Sequence, residues 1–331
     1  MEYRRLGESD VDVTVISFGA WAIGGWMWGG ADARDAVAAV RTGVELGMTT
    51  IDTAPVYGFG LSEELVAKAI EPFRRDEVQL LTKFALRWDM PEGEYHFETK
   101  NFAGDPVKIY KNTRPESIIY ECEQSLRRLK TDYIDVYQCH WPDHTTPVAD
   151  MMATLTRLME QGKIRAIGVS NFTTPELAAC RQTGPVAASQ PPYSMVNRGA
   201  EADMIPYCLE NKVGVLAYSP LQRGLLAGKF RAGQAYNEGD HRSGTAFFKD
   251  SNITKVNMFL ETLRPIARAH QATLGQIVIA WTIRRPGITA ALVGARDVAQ
   301  VRENVAAADI RLSDSELAHI NGHVDKLKLD L

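Results

Sequence analysis

The chain has 331 residues, of which 45% are hydrophobic and 24% charged, and its formal net charge at pH 7 is -4. This composition is typical of a soluble globular protein, and the negative charge argues against nucleic acid or an anionic membrane as a partner. No stretch approaches the roughly 18 apolar residues of a membrane-spanning helix, and no apolar run follows the charged N-terminus as in a signal peptide. The four cysteines are scattered, without a C-x-x-C pair, which suits free thiols in a reducing compartment. We therefore expect a cytoplasmic protein.

Short apolar runs alternate with helical patterns along the whole chain. Residues 2–14 alternate around a turn, which predicts a small hairpin. Apolar runs bounded by turn residues then predict eight buried strands, and apolar residues at helical spacing predict the helices between them. The expected strands are 16–21, 49–54, 78–85, 133–140, 164–171, 186–190, 214–219 and 289–295. The expected helices are 32–47, 62–70, 114–130, 148–161, 175–183, 203–212, 255–270, 275–284, 297–307 and 313–323.

Eight strand–helix repeats in a chain of this length indicate an α/β protein with a (β/α)₈ TIM barrel, an N-terminal β-hairpin and extra C-terminal helices. No linker or shift in composition divides residues 1–331, so we expect a single domain. A doubly wound sheet is the competing architecture. The glycine-rich stretch 24–30 speaks against it, because it lacks G-x-G-x-x-G and two tryptophans crowd it.

Two long polar stretches interrupt the repeats, at 87–113 and 222–253. Neither shows a periodic pattern, and loops of this length in a compact domain are more often functional than idle. We expect residues 87–113 to form a lid at the rim of a pocket.

Four polar residues fall at or just after the ends of the second, third and fourth predicted strands: Asp52, Tyr57, Lys83 and His140. The carboxyl ends of the strands of a parallel barrel share one face, so these side chains can meet there. Lys83 lies in an apolar strand, where an ammonium is costly unless it is paired, and Asp52 is the natural partner.

A cation beside Tyr57 is expected to lower the pKa of the phenol. Such a tyrosine can donate a proton to a carbonyl oxygen as hydride reaches the carbon, while His140 polarises the same oxygen. Purely structural alternatives stay open: Asp52 and Lys83 form only a structural ion pair, and His140 is a core histidine. His140 and His144 have the spacing of a metal pair, but Pro142 disfavours a helix between them, so we expect no metal.

The chain resembles the aldo/keto reductase family along essentially its whole length, with the order and spacing of bacterial NADP(H)-dependent members similar to the stress-type and inositol-cluster enzymes. The motifs that carry the resemblance are Asp52-Thr-Ala-x-x-Tyr57-Gly, Lys83, the run 133–143 that contains His140, 162–172, 218–221, 224–229, 294–296 and Glu303-Asn304.

The resemblance implies a barrel that binds NADP(H) across its carboxyl face, with Tyr57 as acid/base, Lys83 and Asp52 tuning it and His140 positioning the carbonyl. It implies that Ser170, Asn171 and Gln190 hold the nicotinamide carboxamide, that Tyr218 stacks on the ring, and that the loop 219–229 wraps the pyrophosphate. The cofactor-binding residues implied are Ser170, Asn171, Gln190, Tyr218, Ser219, Leu221, Arg223, Gly224, Lys229, Gly294, Arg296, Gln300, Glu303 and Asn304.

The 2′-phosphate site is expected at Arg296, where a helix N-terminus and a guanidinium can share a phosphate. Gln300 stands where many family members have arginine, and Asp297 adds a nearby anion, so the preference for NADP over NAD is weakened but not reversed. Trp21 and Trp88 are the expected walls of the substrate pocket, with Trp26, Trp28 and Trp141 as further candidates.

The expected activity is the reversible, NADPH-dependent reduction of aldehydes or ketones. Two alternatives stay open: a cofactor-binding regulatory subunit like the potassium-channel β subunits, and a dehydrogenase of a polyol or sugar-like alcohol. The absence of an extension before the hairpin favours an enzyme over the regulatory subunit. The sequence does not predict the physiological substrate or the oligomeric state.

Overall fold

Eight parallel strands close into a barrel in the computed structural model, which describes residues 1–331. The barrel confirms the predicted (β/α)₈ fold, since its strands pair in chain order and the last pairs with the first. The barrel strands are β3 (Ile16–Gly19), β4 (Thr50–Asp52), β5 (Gln79–Phe84), β9 (Ile134–Cys139), β10 (Ile164–Ser170), β11 (Ala188–Gln190), β12 (Gly214–Tyr218) and β13 (Ala290–Gly294). The other strands are β1 (Tyr3–Arg5), β2 (Asp12–Thr14), β6 (Leu86–Arg87), β7 (Glu94–Lys100) and β8 (Pro106–Lys111).

Ten helices surround the barrel, and most begin at a residue that satisfies the free N–H groups of the first turn. The Asp32 carboxylate, for example, accepts hydrogen bonds from the backbone N–H groups of Arg34 and Asp35. The helices are α1 (Ala33–Glu45), α2 (Leu61–Ile70), α3 (Pro115–Leu129), α4 (Val148–Glu160), α5 (Thr174–Thr183), α6 (Met204–Glu210), α7 (Asp250–Ala269), α8 (Leu274–Ile283), α9 (Val298–Ala306) and α10 (Asp314–Val324). None of them combines the length and the apolar character needed to cross a membrane.

The predicted N-terminal hairpin, β1 and β2, covers the amino-terminal end of the barrel. Leu6 and Val13 are buried there in one cluster with barrel residues such as Val136. Gly7 has a φ of 58°, and a Cβ at this position would lie 2.5 Å from the carbonyl oxygen of Ala187, so only glycine allows this close approach. With this end covered, the carboxyl ends of the strands are left to form a site.

Residues 87–113, predicted as a patternless loop, contain two of the three strands of an antiparallel sheet. β8 lies in the middle, between β6 and β7, and the turn between β7 and β8 is held by Asn101, whose side-chain oxygen accepts from the backbone N–H groups of Ala103 and Asp105. The polar, solvent-facing residues of these strands obscured the alternation of Val107 and Ile109.

The second long stretch, 222–253, has little regular structure, and α7 begins at Asp250, five residues earlier than predicted. Its ordered parts are 3-10 turns at Leu225–Ala227, His241–Gly244 and Ala246–Phe248. An antiparallel bridge joins Asp240 to Trp28. The stretch is thereby tied to the loop that follows β3.

Candidate active site

A buried ion pair lies at the carboxyl end of the barrel. Asp52 is the last residue of β4, and Lys83 lies in the neighbouring strand β5. The Lys83 Nζ atom lies 2.7 Å and 2.5 Å from the two carboxylate oxygens of Asp52, and it also donates to the carbonyl oxygen of Thr53 at 2.8 Å. The lysine expected to need a partner therefore has one, and its ammonium is surrounded by acceptors of neighbouring residues.

Tyr57, in the turn after β4, lies directly above this pair. Its hydroxyl oxygen lies 3.3 Å from Lys83 Nζ. The ring of His140, which follows β9, meets the Tyr57 ring edge-on with a centroid distance of 5.6 Å, and the Trp21 ring stacks on the Tyr57 ring at 6.1 Å. The structure thus brings together the four residues that the sequence placed at strand ends.

The prediction that the neighbouring cation lowers the pKa of Tyr57 is wrong. Burial, with the charge of Asp52 adding to it, raises the pKa of Tyr57 well above its usual value of 10.0. The reason is that Asp52 neutralises Lys83, so the pair carries little net charge to stabilise a phenolate, while burial penalises the phenolate strongly. Tyr57 is accordingly a neutral phenol at physiological pH.

His140 is also neutral. Burial, helped by the positive charge of Lys83, lowers the pKa of His140 well below its usual value of 6.5. Its main chain is fixed, because its N–H donates to the Phe84 oxygen and its carbonyl oxygen accepts from the Asn171 side chain. A neutral imidazole carries one N–H donor, so His140 can donate to an oxygen placed beside Tyr57.

These residues lie at one end of a cavity of about 710 Å³, within the range of ligand pockets. Trp21 lines it, as do Trp26, Trp28 and Trp141. Trp88, predicted as a pocket wall, does not line it and packs against Phe59 with a ring-centroid distance of 5.7 Å. The cavity is lined by all the residues expected to bind the cofactor: Ser170, Asn171, Gln190, Tyr218, Ser219, Leu221, Arg223, Gly224, Lys229, Gly294, Arg296, Gln300, Glu303 and Asn304.

A hydrogen-bonded set of polar side chains joins the ends of β10, β11 and β12. Asn171 adopts a left-handed φ of 61°, and its side-chain oxygen accepts from the Tyr218 hydroxyl at 2.8 Å. Ser170 donates to the backbone oxygen of Gln190. The amide nitrogen of Gln190 donates to Asp52 at 3.0 Å, so Gln190 also belongs to the buried ion-pair network, a role that the sequence did not reveal.

The loop after β12 has an unusual backbone. Ser219, Gln222 and Arg223 have φ values of 57°, 46° and 56°, and Gly224 follows at 93°. The Arg223 guanidinium lies 5.5 Å from the centre of the Trp21 ring and forms no ion pair, and burial lowers its pKa. Strain of this kind is concentrated at ligand sites, and an unneutralised cation favours an anionic ligand.

The far end of the cavity lies at β13 and α9. Arg296 is exposed, and its guanidinium has no carboxylate partner. The Gln300 side chain does not bond the guanidinium: its amide nitrogen donates to Asp297 at 2.6 Å, and its oxygen accepts from the backbone N–H of Arg296 at 3.1 Å. Lys229 lies 3.4 Å from Glu303 in a partly exposed ion pair. Arg296 is therefore a free cation beside the start of α9, whereas Lys229 is not.

Three residues that sequence reasoning missed contribute to the site. His96 and Phe97 of β7 line the cavity. The His241 ring lies 4.8 Å from the Trp21 ring, and its Nδ1 atom lies 2.5 Å from the carbonyl oxygen of Met27. The only sequence signal for the first two was the alternation in β7, which a register shift between Tyr95 and Phe97 interrupts. No local pattern marks His241, because its partners lie more than 200 residues away.

Comparison with known proteins places this geometry in a family. The sequence profile of the Aldo/keto reductase family matches residues 15–325. The chain is 37% identical over 303 residues to the aldo-keto reductase YhdN of Bacillus subtilis (strain 168), covering 91% of this chain and 87% of that protein. It is 36% identical over 316 residues to the NADH-specific methylglyoxal reductase of Escherichia coli (strain K12), covering 94% of each.

Solved structures agree. The glycerol dehydrogenase AKR11B4 from Gluconobacter oxydans superimposes with a TM-score of 0.86 and 33% identity, covering 98% of this chain and 95% of that one. An aldo/keto reductase from Klebsiella pneumoniae, in complex with NADP and acetate, superimposes with a TM-score of 0.70 and 30% identity, covering 97% and 94%. From its sequence and its barrel alike, this chain belongs to the aldo/keto reductase family of oxidoreductases.

Proposed function

We propose that the protein reduces aldehydes and ketones to alcohols with NADPH, reversibly, with Tyr57 as general acid/base. The observation that carries the proposal is the contact of 3.3 Å between Lys83 Nζ and the Tyr57 hydroxyl oxygen at the inner end of the cavity. Since the ammonium is the donor in this contact, the phenol proton of Tyr57 stays free to point into the cavity. A carbonyl oxygen there can receive it.

The pKa directions fit the reductive role. A phenol whose pKa is raised by burial keeps its proton throughout the neutral range, as a general acid must. His140, being neutral, donates its ring N–H to the same carbonyl oxygen without competing for the proton. Together the two donors polarise the carbonyl and stabilise the oxygen as negative charge develops on it.

The charges of the cavity fit a nicotinamide dinucleotide. Two cations without carboxylate partners, Arg223 and Arg296, line the same cavity as Tyr57, and each would meet a phosphate group. Ser170, Asn171 and Gln190 would bind the carboxamide, and Tyr218 would pack on the ring. When bound, the cofactor supplies the hydride that the side chains of this site cannot.

NADPH is favoured over NADH because Arg296 lies free at the start of α9, where a 2′-phosphate would gain both a guanidinium and helix N–H groups. The Escherichia coli relative is named as NADH-specific. The preference of this protein for NADPH over NADH therefore has to be measured. Gln300 and Asp297, which bond each other at 2.6 Å, add no further cation.

The test is NADPH consumption with a panel of aldehydes and ketones, comparing wild type with Tyr57→Phe. We expect turnover in the wild type and a loss of about 10²–10⁴-fold in the variant, with NADPH binding unchanged in a fluorescence titration. Equal turnover of both proteins would rule out the acid/base assignment. Tight NADPH binding without turnover of any carbonyl would instead support a cofactor-binding regulatory subunit.

A further inference from the structure

Strand β7 contains an irregularity at the edge of the cavity. Tyr95 pairs with Tyr110 and Phe97 pairs with Ile109, so two steps along β7 correspond to one step along β8. His96 is the extra residue of this β-bulge. In a regular strand, neighbouring side chains point to opposite faces, but a bulge breaks the alternation and redirects a side chain. As a result, His96 and Phe97 both line the cavity although they are adjacent in sequence.

The His96 imidazole is held between aromatic rings but has no polar partner. Its ring centre lies 4.9 Å from that of Phe97 and 4.9 Å from that of Trp141. Neither ring nitrogen hydrogen-bonds to the protein, in contrast to the indole N–H of Trp26 on the same wall, which donates to Thr99 at 3.1 Å. A half-buried polar group without a partner costs free energy unless a ligand or water satisfies it.

His96 lies in a neutral form on the wall of the cavity, against the ring of Trp141. Burial and the charge of Lys111 lower its pKa, and the charge of Glu94 opposes this only in part. A neutral imidazole offers one donor and one acceptor, which is the complement of a hydroxyl group. The Lys111 ammonium is engaged by Glu94 at 2.5 Å, so it does not offer this wall a free cation for a carboxylate.

We propose that His96 is a specificity-determining residue that binds a hydroxyl group carried by the substrate, so that the preferred substrates are hydroxylated aldehydes and ketones and, in reverse, the corresponding polyols. The inference rests on the proposed function, because it assigns the substrate class of the same cavity. Loss of one such hydrogen bond is expected to lower kcat/KM by about tenfold, and only for substrates that carry the hydroxyl.

The experiment measures kcat/KM with NADPH for two matched pairs, glycolaldehyde against acetaldehyde and glyceraldehyde against propanal. We expect the wild type to prefer the hydroxylated member, and His96→Phe to lose about tenfold on that member alone. His96→Gln, which keeps a donor and an acceptor, should retain part of the preference. Tyr95→Phe is the matched control, since Tyr95 is on the same strand, is 53% exposed and does not line the cavity.

Equal losses on both members of each pair, or an unchanged preference in His96→Phe, would overturn the assignment of His96. A wild type that turns over no carbonyl would instead count against the proposed function. A titration that needs no turnover decides the inference in that case: the intrinsic tryptophan fluorescence of the protein should respond to glycerol at lower concentration than to propan-1-ol. His96→Phe should abolish this difference, and an unchanged difference would refute the role of His96.

Discussion

Lys83 and Asp52 form an ion pair in the interior of the barrel, with 1% and 3% of their side chains exposed. Removing two charges from water costs several kcal/mol for each ion, and their attraction offsets this only when the remaining donors and acceptors are satisfied. In this protein the remaining donors and acceptors are satisfied, because Lys83 also donates to the Thr53 oxygen and Asp52 also accepts from Gln190. The pair holds the Tyr57 hydroxyl in place while it contributes little net charge.

Breaking this pair should destabilise the protein strongly. In Lys83→Met the Asp52 carboxylate is left buried without its cation, and we expect the free energy of unfolding to fall by about 3–5 kcal/mol. The double variant Asp52→Asn, Lys83→Met should lose less than the sum of the two single variants, because neither charge then remains. Urea unfolding of the three variants measures this, and additive losses would show that the two side chains are not coupled.

The barrel could be predicted because its strands are buried on both faces and therefore read as apolar runs. The same reasoning located Asp52, Lys83 and His140, since polar residues at the ends of apolar strands are conspicuous. The sheet at 87–113 was not predicted, because β7 and β8 carry charged residues on their solvent face and are joined by a polar turn. The bulge at His96 further disturbs the alternation that would have marked β7.

The contact between the loop after β3 and the stretch 222–253 could not be predicted. Met27 and His241 meet through two hydrogen bonds, from the His241 backbone N–H at 3.1 Å and from its Nδ1 atom, and nothing in either local sequence indicates this. The direction of the Tyr57 pKa shift was predicted wrongly for a related reason. It depends on the balance between burial and a neutralised cation, which only the assembled geometry determines.

The pH profile follows from Tyr57 and His140. In the proposed mechanism, reduction requires the protonated phenol, whose pKa is raised above 10.0, and the neutral imidazole, whose pKa is lowered below 6.5. Neither group changes charge between these values, so kcat for reduction should be flat from about pH 6.5 to 10. Oxidation of the alcohol requires the phenolate, so its kcat should rise with pH over the same range. A fall in reductive kcat near pH 7–8 would contradict these pKa directions.

Arg296→Ala should change the choice of cofactor without affecting the chemistry. The exposed guanidinium has no carboxylate partner, so its removal costs no ion pair within the protein. We expect KM for NADPH to rise about tenfold, as for a lost charged hydrogen bond of 1.5 kcal/mol or more, while KM for NADH and kcat stay unchanged. Arg302→Ala, which removes a charge from α9, the helix that follows Arg296, but away from the cavity lining, is the control. Equal effects on both cofactors would place Arg296 outside the 2′-phosphate site.

His144 should stabilise the sheet of β7 and β8 in a pH-dependent way. Its Nδ1 atom lies 2.9 Å from Glu94 on β7, and its Nε2 atom lies 3.0 Å from Glu176 on α5. Hydrogen bonds to Glu176 and Glu94 raise the pKa of His144. The pKa of Glu94 is lowered to about 2, mainly by its hydrogen bond from Lys111 and further by those from His144. In mild acid, therefore, His144 carries a positive charge and Glu94 a negative charge.

Because the folded pKa of His144 is raised, the stabilisation is fully present below its unfolded pKa of about 6.5 and is lost as the pH rises through the folded value. His144→Ala should lower the free energy of unfolding by about 0.2–1 kcal/mol at pH 5.5, a range that allows for solvent screening of this 63% exposed side chain. The difference from wild type should be smaller at pH 9 than at pH 5.5. His319→Ala is the control, since His319 bonds a main-chain oxygen rather than a carboxylate. A loss in His144→Ala that is the same at both pH values would mean that packing, not charge, stabilises the sheet.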